Sequence, residues 1–300
     1  MAFTHFSDLD LLAFSRELEL SFVNFYLGFS STDSKSRHPH ARLIFFFQAD
    51  GTAFFDDGTS RLILHGGDWV LVPPFVELRH CLNAAAPHLS LHFTLQACGG
   101  IDMLAGKKQI LFGNDPAMLP EIRREITGND RVSLMMFFRE ICWKYLRKVR
   151  HEFPVFQHLP ELWTNPETVR LFRLLTENAS PKLTMRKFAR IAGIPKDSLI
   201  KKLTASIGIP PGQVVDRILV MRAIRLLVDE KRSVKETAYA LAFRDPYGFS
   251  RFFRRMTGAP PGQFSRRFRK APSDTTHLIS IGGPESRQLA SQFGHTPATP

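Results

Sequence analysis

The heptapeptide GIPPGQV at residues 208–214 returns fifty residues later as GAPPGQF at residues 258–264. The same offset relates Leu199 to Phe249, each of which stands nine residues before its heptapeptide. Self-similarity at a fixed spacing indicates one supersecondary unit that is built twice. We therefore expect two copies of one unit in the C-terminal third of the chain.

Positive charge is concentrated around this repeat. The 300-residue chain has a formal net charge of +12. Residues 181–270 hold 21 Lys and Arg against 6 Asp and Glu, a net charge of +15, so the rest of the chain carries −3. Concentrated Lys and Arg attract phosphate groups, which predicts that residues 181–270 bind nucleic acid. The alternative, a basic surface that serves solubility alone, explains this segregation poorly.

Each copy of the repeat predicts two helices joined by a tight turn. In the first copy, Thr184 caps a helix that reaches Gly193, and a second helix follows over residues 196–206. In the second copy, Ser233 opens a capping box, and Asp245 caps the next helix. The second helix of each copy is apolar on one face and basic on the other, as in a recognition helix that enters a major groove.

Residues 213–230, between the copies, predict one long helix that holds the two units in a fixed relation. Two recognition helices held in this way can enter successive major grooves, about 34 Å apart. The alternative is a structural helical bundle whose charged face is merely solvated.

Residues 183–268 resemble the DNA-binding domain of the AraC/XylS family of bacterial transcription regulators. In the second copy the resemblance rests on Ala238, Phe243, Asp245, Phe249, Ser250, Arg251, Phe253, Arg254, Arg255, Gly258, Pro261 and Phe264. In the first copy it rests on Ala189, Gly193, Leu199, Leu203, Gly208, Pro211, Arg222, Ala223, Leu226 and Leu227. The chain departs from the usual Ser, Arg, Gly and Ser-Tyr of the family at Pro195, Leu219, Ala242 and Tyr247-Gly248.

The resemblance implies which residues face the DNA grooves. They are Lys196, Ser198, Lys201 and Lys202 in the first unit, and Tyr247, Ser250, Arg251, Arg254 and Arg255 in the second. Arginine is expected to read guanine through bidentate bonds, and lysine to contact phosphate. The departures from the family pattern bear on the operator sequence, not on the mode of binding.

Residues 1–100 predict a small β-barrel or sandwich. Short apolar runs at 43–47, 52–55, 61–64, 69–72 and 89–95 alternate with turn signals that contain Gly, Asp and Pro. Residues 37–93 also resemble the cupin-type sensor of AraC-family proteins, which implies a cavity for one small effector, with a carbohydrate as the expected class. The residues predicted to line it are His38, His40, Trp69, Glu77, Arg79, His80 and His92. For each of them a structural or surface role is the alternative.

A metal is not predicted in this sensor. His38 and His40 have the spacing of the first two ligands of metal-binding cupins, but the place of the expected acid falls at Ile44 or Phe45. His80 is out of register for a further ligand. Fewer than three secure nitrogen or oxygen ligands do not make a strong site, so we expect no metal and no other cofactor.

Residues 101–180 predict helices at 116–127, 132–149 and 166–178. The helix over 132–149 is apolar on one face and basic on another, which fits core packing or, by the family resemblance, a homodimer interface. Residues 271–300 are rich in Ser, Thr, Pro and Gly and are predicted to be disordered.

The remaining sequence features narrow the class of protein. Cys81, Cys98 and Cys142 form no CxxC pair, which favours a protein of the reducing cytoplasm. No apolar run reaches about 18 residues, which predicts that no segment spans a membrane. No Ser/His/Asp group, phosphate-binding glycine loop or pair of carboxylates stands out, so we do not expect an enzyme.

Together these patterns predict an α+β multidomain chain. A cupin-like β-barrel over residues 1–100 precedes a helical dimerisation and linker segment over 101–180, an all-α double helix-turn-helix over 181–270, and a disordered tail over 271–300. The expected function is sequence-specific regulation of transcription in response to a small effector. The expected partners are double-stranded operator DNA, the effector, a second copy of the chain and RNA polymerase. The alternatives are a metal-dependent cupin enzyme, such as an isomerase or dioxygenase, fused to a DNA-binding module, and a non-specific architectural DNA binder.

Overall fold

The computed structural model describes residues 18–28, 32–83, 86–128, 130–157, 165–269 and 278–279. As predicted, it is an α+β structure, with β-sheets in the N-terminal half and helices in the C-terminal half. Apart from residues 278–279, which form a short strand, the tail predicted to be disordered lies outside the described residues. No helix within the described ranges is both long and apolar enough to cross a lipid bilayer.

Eleven strands form two antiparallel sheets in the described part of the chain. The larger sheet has the order β10-β6-β3-β8-β1-β11, with β9 paired to β8, and the smaller has the order β2-β7-β4-β5. The strands are β1 (Glu19–Gly28), β2 (Thr32–Arg37), β3 (Ala41–Phe46), β4 (Asp50–Asp56), β5 (Arg61–His65), β6 (Asp68–Val72), β7 (Glu77–Leu82), β8 (His88–Ala97), β9 (Ile101–Asp102), β10 (Leu111–Asn114) and β11 (Leu278–Ile279).

The two sheets share one hydrophobic core. Ile44 and Phe46 of β3 pack in the same cluster as Phe55 of β4 and Leu78 of β7. Because side chains alternate along a strand, Phe45 lies on the opposite face of β3, and it is buried there as well. A strand that is covered on both faces is apolar along its whole length, which explains the continuous run at residues 43–47.

Three strands of this cupin-like part were not predicted: β1, β2 and β7. The sequence of β2, TDSKSR, has no apolar residue, because β2 is an edge strand whose side chains mostly face solvent. It is held by its ladder with β7, in which Arg37 pairs with Glu77 and Thr32 with Leu82. Partner strands far along the chain supply these bonds, and a polar segment carries no local sign of them.

The eight predicted helices agree with observed ones within about two residues at most ends, whereas the helices at Pro154–Gln157 and Pro261–Arg269 were not predicted. The first four are α1 (Met118–Thr127), α2 (Arg131–Val149), α3 (Pro154–Gln157) and α4 (Pro166–Glu177). The next six are α5 (Met185–Ala192), α6 (Lys196–Ile207), α7 (Pro211–Ile224), α8 (Val234–Ala240), α9 (Pro246–Thr257) and α10 (Pro261–Arg269). The predicted helix over 213–230 is α7 followed by a π-helical turn at Arg225–Asp229.

The chain divides into two compact units, which we call the sheet unit and the helical unit. Among the described residues, the sheet unit draws on Phe22–Phe93, Lys108–Val149 and residues 278–279, and the helical unit on residues 18–21, Thr94–Lys107 and Arg150–Arg269. The segment over residues 101–180 is therefore shared between the units. The functional boundaries at residues 100, 180 and 270 stay a prediction.

Candidate nucleic-acid interface and histidine cluster

The first helix-turn-helix consists of α5 and α6. Thr184 Oγ1 accepts a hydrogen bond from Lys187 N at 3.2 Å, which caps α5. The helix ends at Gly193, whose φ of +72° is the left-handed conformation that glycine adopts at low cost. Leu199 and Leu203 of α6 are fully buried, so the opposite face of α6 is turned to solvent.

The second helix-turn-helix, α8 and α9, is capped more strongly. Ser233 Oγ accepts a bond from Glu236 N at 3.1 Å, and the Glu236 carboxylate accepts one from Ser233 N at 2.8 Å, which completes the predicted capping box. Asp245 caps α9 by accepting a bond from Gly248 N at 2.7 Å. Phe249 is fully buried and anchors α9.

The face of α6 that was predicted to meet DNA is largely open. Lys196, Ser198 and Lys201 are exposed. Lys202 is half-buried and forms an ion pair with Glu167 of α4. Its role toward DNA therefore competes with a contact inside the protein.

On α9, Tyr247, Arg251 and Arg254 are exposed, Tyr247 at 72%. The guanidinium carbon of Arg251 lies 5.8 Å from the centre of the Tyr247 ring, a distance at which the ring holds the cation near its face. Ser250 is half-buried, and its hydroxyl donates to Pro246 O at 2.8 Å, one turn back in the same helix. Arg255 is exposed as well but is paired with an acid of the protein, so Tyr247, Arg251 and Arg254 are the best placed of this set for DNA.

Helix α7 contacts both recognition helices, α6 and α9. It is buried along most of its length, with Val214, Ile218 and Ala223 each at most 2% exposed. Arg255 of α9, also predicted to face DNA, donates a hydrogen bond to Asp216 of α7 at 3.0 Å. A buried helix that is packed against both recognition helices fixes their separation, as the linker was predicted to do.

A second buried contact joins α7 to the segment over residues 94–107. Arg217 Nη1 donates to the Asp102 carboxylate at 2.5 Å, and each side chain is only 13% exposed. Burial raises the pKa of Asp102 above its ordinary value, and the positive charge of Arg217 opposes that rise. Thr176 Oγ1 of α4 donates to Cys98 O at 3.1 Å, and Arg222 of α7 donates to Thr176 O at 2.7 Å.

In the sheet unit, three of the predicted effector residues lie together. The rings of His38, His40 and His92 have their centres 4.9–5.7 Å apart. His40 Nε2 and His92 Nδ1 are 2.9 Å apart, within hydrogen-bond distance. His40 and His92 are buried, and His38 is half-buried. We call these three residues the histidine cluster.

The other four predicted effector residues lie elsewhere in the sheet unit. Trp69 is buried with its ring centre 4.9 Å from that of Tyr145, and its strand neighbours Val70 and Val72 face the core between the sheets instead. Glu77 and Arg79 are exposed on β7, and His80 of β7 is half-buried. Whether these four contact an effector stays a prediction.

Three further polar residues share the face of the histidine cluster and were not predicted. Arg42, Ser90 and His88 are buried, and the β3–β8 ladder pairs Arg42 with His92 and Ile44 with Ser90. Polar and apolar residues alternate along β8, which is the pattern of a half-exposed strand and gives no sign that His88 and Ser90 are buried.

The charge state of this interior follows from its burial. Burial, with the positive charge of Arg42 adding to it, lowers the pKa of His40 to about 3 and that of His88 to about 4. Both imidazoles are therefore neutral at physiological pH.

A family of known domains matches the helical unit. The family model described as a helix-turn-helix domain matches residues 188–267, from α5 to α10. This is an AraC-type helix-turn-helix domain. The resemblance drawn from the repeated heptapeptide is confirmed for these residues.

Individual relatives are distant. Histidine kinase P4 of Formosa agariphila is 24% identical over 100 residues, which are 33% of this chain and 7% of that protein. The crystal structure of ToxT from Vibrio cholerae O395 has a TM-score of 0.53 at 13% identity, covering 85% of this chain and all of that one. Unsaturated fatty acid bound ToxT from V. cholerae strain SCE256 has a TM-score of 0.52 at 11% identity, covering 83% of this chain and 95% of that one. The ToxT structures share the fold of this chain.

The structure shows the surroundings of two residues at which the AraC-type domain departs from its family pattern. Ala242 stands where the family usually has Gly, and it keeps a φ of +59°, a conformation that costs an L-residue about 1–2 kcal/mol. Leu219 stands where the family commonly has Arg and is 2% exposed on α7, so an apolar residue suits its surroundings.

Proposed function

We propose that this protein is a sequence-specific DNA-binding transcription regulator whose sheet unit binds a small effector. It acts as a homodimer on operator DNA and, as a regulator of transcription, works together with RNA polymerase. Effector binding shifts the population between two arrangements of the chain, since a ligand can move such an equilibrium only if it prefers one arrangement.

One observation carries the DNA-binding part of the proposal: two exposed basic helix faces are attached to the same buried helix. Lys196 and Lys201 lie on α6, Arg251 and Arg254 lie on α9, and α7 packs against both helices. A non-specific architectural binder needs no such fixed pair of recognition helices. The spacing they need on DNA is one helical turn, about 34 Å.

The effector part is supported by the polar interior of the sheet unit and by its fold. His40, Ser90 and His92 are buried side by side between the sheets, where apolar residues are usual. One ToxT structure of the same fold holds an unsaturated fatty acid. A carbohydrate, expected from the family resemblance, and a carboxylic acid are therefore the two effector classes to compare by calorimetric titration.

Replacing Arg251 with alanine is expected to weaken operator binding by about 1–3 kcal/mol, roughly 5- to 150-fold. Arg251 is exposed on α9 and is the residue we assign to a guanine edge. The operator comes from footprinting of bound genomic sites, and affinity is then measured by gel-shift titration on operator and random duplexes at equal salt.

The matched control is Arg124→Ala, which removes the same charge from an exposed site on α1, outside the AraC-type domain. It is expected to leave operator affinity unchanged within about threefold, because Arg124 lies outside the matched domain and an exposed charge that contacts no phosphate is screened by salt. Unchanged operator affinity in Arg251→Ala would refute the assignment. Equal affinity of the wild-type protein for operator and random DNA would instead favour the architectural alternative.

The proposed homodimer is supported by α2. Val132 and Met136 are 70% and 67% exposed, and Trp143 is also exposed, at spacings that place all three on one face of the helix. Exposed apolar side chains in line on a helix mark a surface for a partner. We assign this surface to the same surface of a second copy, since a twofold interface is self-complementary.

Met136→Lys is expected to weaken dimerisation about tenfold or more, because a Met side chain that is buried at an interface contributes roughly 1.5–3 kcal/mol. Sedimentation velocity across a concentration series measures the change. Met103→Leu, which alters a fully buried methionine of the helical unit, is the control and keeps the dimer. A wild-type protein that sediments as a monomer at micromolar concentration, with and without DNA, would contradict the proposal.

A further inference from the structure

The histidine cluster has the composition of a transition-metal site. Each of its three residues offers one imidazole nitrogen, and these nitrogens all lie within 4.8 Å of one another. The third residue, His92, stands 52 positions from His40 and meets it through the β3–β8 ladder, in which Ala41 pairs with Phe93. No spacing motif records such a meeting, which is why the sequence predicted fewer than three ligands.

The distances between the imidazole nitrogens are close to those between the ligands of a bound metal ion. Imidazole nitrogens lie about 2.0–2.1 Å from Zn²⁺, so two ligands of a tetrahedral site are about 3.4 Å apart. His40 Nε2 and His92 Nδ1 are 2.9 Å apart. His38, in the connection between β2 and β3, has to close by at most about 1.4 Å to complete the set.

The surroundings prepare the ligands for a metal. Ser90 Oγ lies 3.0 Å from His92 Nε2, and when it accepts the proton of that nitrogen, the lone pair of His92 is on Nδ1, the atom that faces His40. This is the outer contact that orients metal-binding histidines.

The donor set also selects the class of ion. Three imidazoles without a carboxylate suit Zn²⁺, Cu²⁺, Ni²⁺ or Fe²⁺, whereas Ca²⁺ and Mg²⁺ require oxygen ligands. Arg42 lies on the same face and its charge opposes any cation, which further disfavours ions that are held by charge alone. Three protein ligands leave a fourth position open.

We propose that His38, His40 and His92 bind one divalent transition-metal ion in the sheet unit. This goes beyond the proposed regulatory function, since that function needs no metal. The proposed metal site does not depend on whether the effector is a carbohydrate or a carboxylic acid.

The test is metal binding by the full chain. Protein stripped with a chelator is titrated with Zn²⁺ by calorimetry and with Co²⁺ by visible absorption, which reports tetrahedral nitrogen coordination. The expected result is one ion per chain. Replacing any one of the three histidines with glutamine is expected to weaken binding by more than about 100-fold, beyond the 10–100-fold cost of losing an outer partner such as Ser90.

The matched control is His65→Gln, a histidine on β5 whose side chain is 65% exposed. It is expected to bind the ion as the wild type does. His38→Gln is the decisive variant, because His38 is only half-buried and its replacement leaves the interior packing largely intact. Circular dichroism checks the fold of each variant.

Two results would overturn the site. One is a wild-type chain that holds less than about a tenth of an ion at micromolar Zn²⁺, a concentration far above the dissociation constants of structural sites. The other is a folded His38→Gln or triple-glutamine variant that still binds one ion per chain and keeps the Co²⁺ spectrum, which would place the ion elsewhere.

Discussion

Arg217→Met is expected to lower the free energy of unfolding of the helical unit by about 3–5 kcal/mol, because it leaves the buried carboxylate of Asp102 without its partner. The two side chains are 13% exposed and joined at 2.5 Å, so little water can take the place of Arg217. Native-state hydrogen exchange of the α7 amides measures the effect, since it reports this region alone and a two-unit chain does not unfold in one step.

The neighbouring residue provides a matched control. Asp216, next to Arg217 on α7, pairs with Arg255, whose side chain is 63% exposed. Arg255→Met removes the same kind of ion pair from solvent and is expected to cost less than about 1 kcal/mol. If both variants cost the same, the burial of the Asp102–Arg217 pair is not what stabilises this part of the unit.

The effect of Arg217→Met depends on pH with a definite sign. Without Arg217, burial is opposed only by the hydrogen bond from Leu104 N, so the pKa of Asp102 in the folded state rises further above the unfolded value of about 3.9. A folded state that holds the proton more tightly loses stability as the pH rises from the unfolded pKa to the folded one. The loss of unfolding free energy caused by Arg217→Met is therefore expected to be small near pH 4 and largest at neutral pH. The double variant Asp102→Leu/Arg217→Met is expected to recover most of this loss.

Phe249→Ala is expected to destabilise the second helix-turn-helix by about 3–5 kcal/mol, since a fully buried aromatic ring is replaced by a cavity. Its ring centre lies 5.3 Å from that of Phe243 and 5.7 Å from that of Phe253, so all three rings lose contacts. Because α9 is anchored by this residue, operator affinity falls together with stability. Hydrogen exchange of α9 and gel-shift titration measure the two effects.

Tyr247→Ala separates the two effects. Tyr247 lies two residues away on the same helix but is exposed, so its replacement is expected to change stability by no more than about 0.5 kcal/mol. It removes a side chain assigned to DNA, and it also removes the ring beside Arg251. Weaker operator binding with unchanged exchange in α9 is the expected result. Unchanged exchange in Phe249→Ala would show that α9 is anchored by other contacts.

The AraC-type domain was predictable to a large extent because its signals are local. The capping oxygens of Thr184, Ser233 and Asp245 each bond to an amide three residues away, so the helix starts can be predicted from neighbouring residues. Gly193 directly follows the last residue of α5, so this helix end is also a local signal. Ala242 was noted as a departure from the family, but only its φ shows that the turn keeps a left-handed residue there.

The partners of the predicted DNA-facing residues were not predictable. In the sequence, Lys202 and Arg255 cannot be told from the other basic residues of their helices, yet Lys202 pairs with Glu167 and Arg255 with Asp216. Those acids lie 35 and 39 residues away, and helix packing alone brings them into reach. Periodicity reports which face a residue occupies, but not which charge stands opposite to it.

The repeated helix-turn-helix unit, its basic faces and the β-rich start of the chain follow from local sequence signals, because caps, turns and periodicity act over fewer than about five residues. The meeting of His92 with His38 and His40, and of Asp102 with Arg217, follows only from the three-dimensional fold. Those contacts span 52 and 115 residues. They depend on strand register and on helix packing, which the whole fold sets and no short stretch of chain encodes.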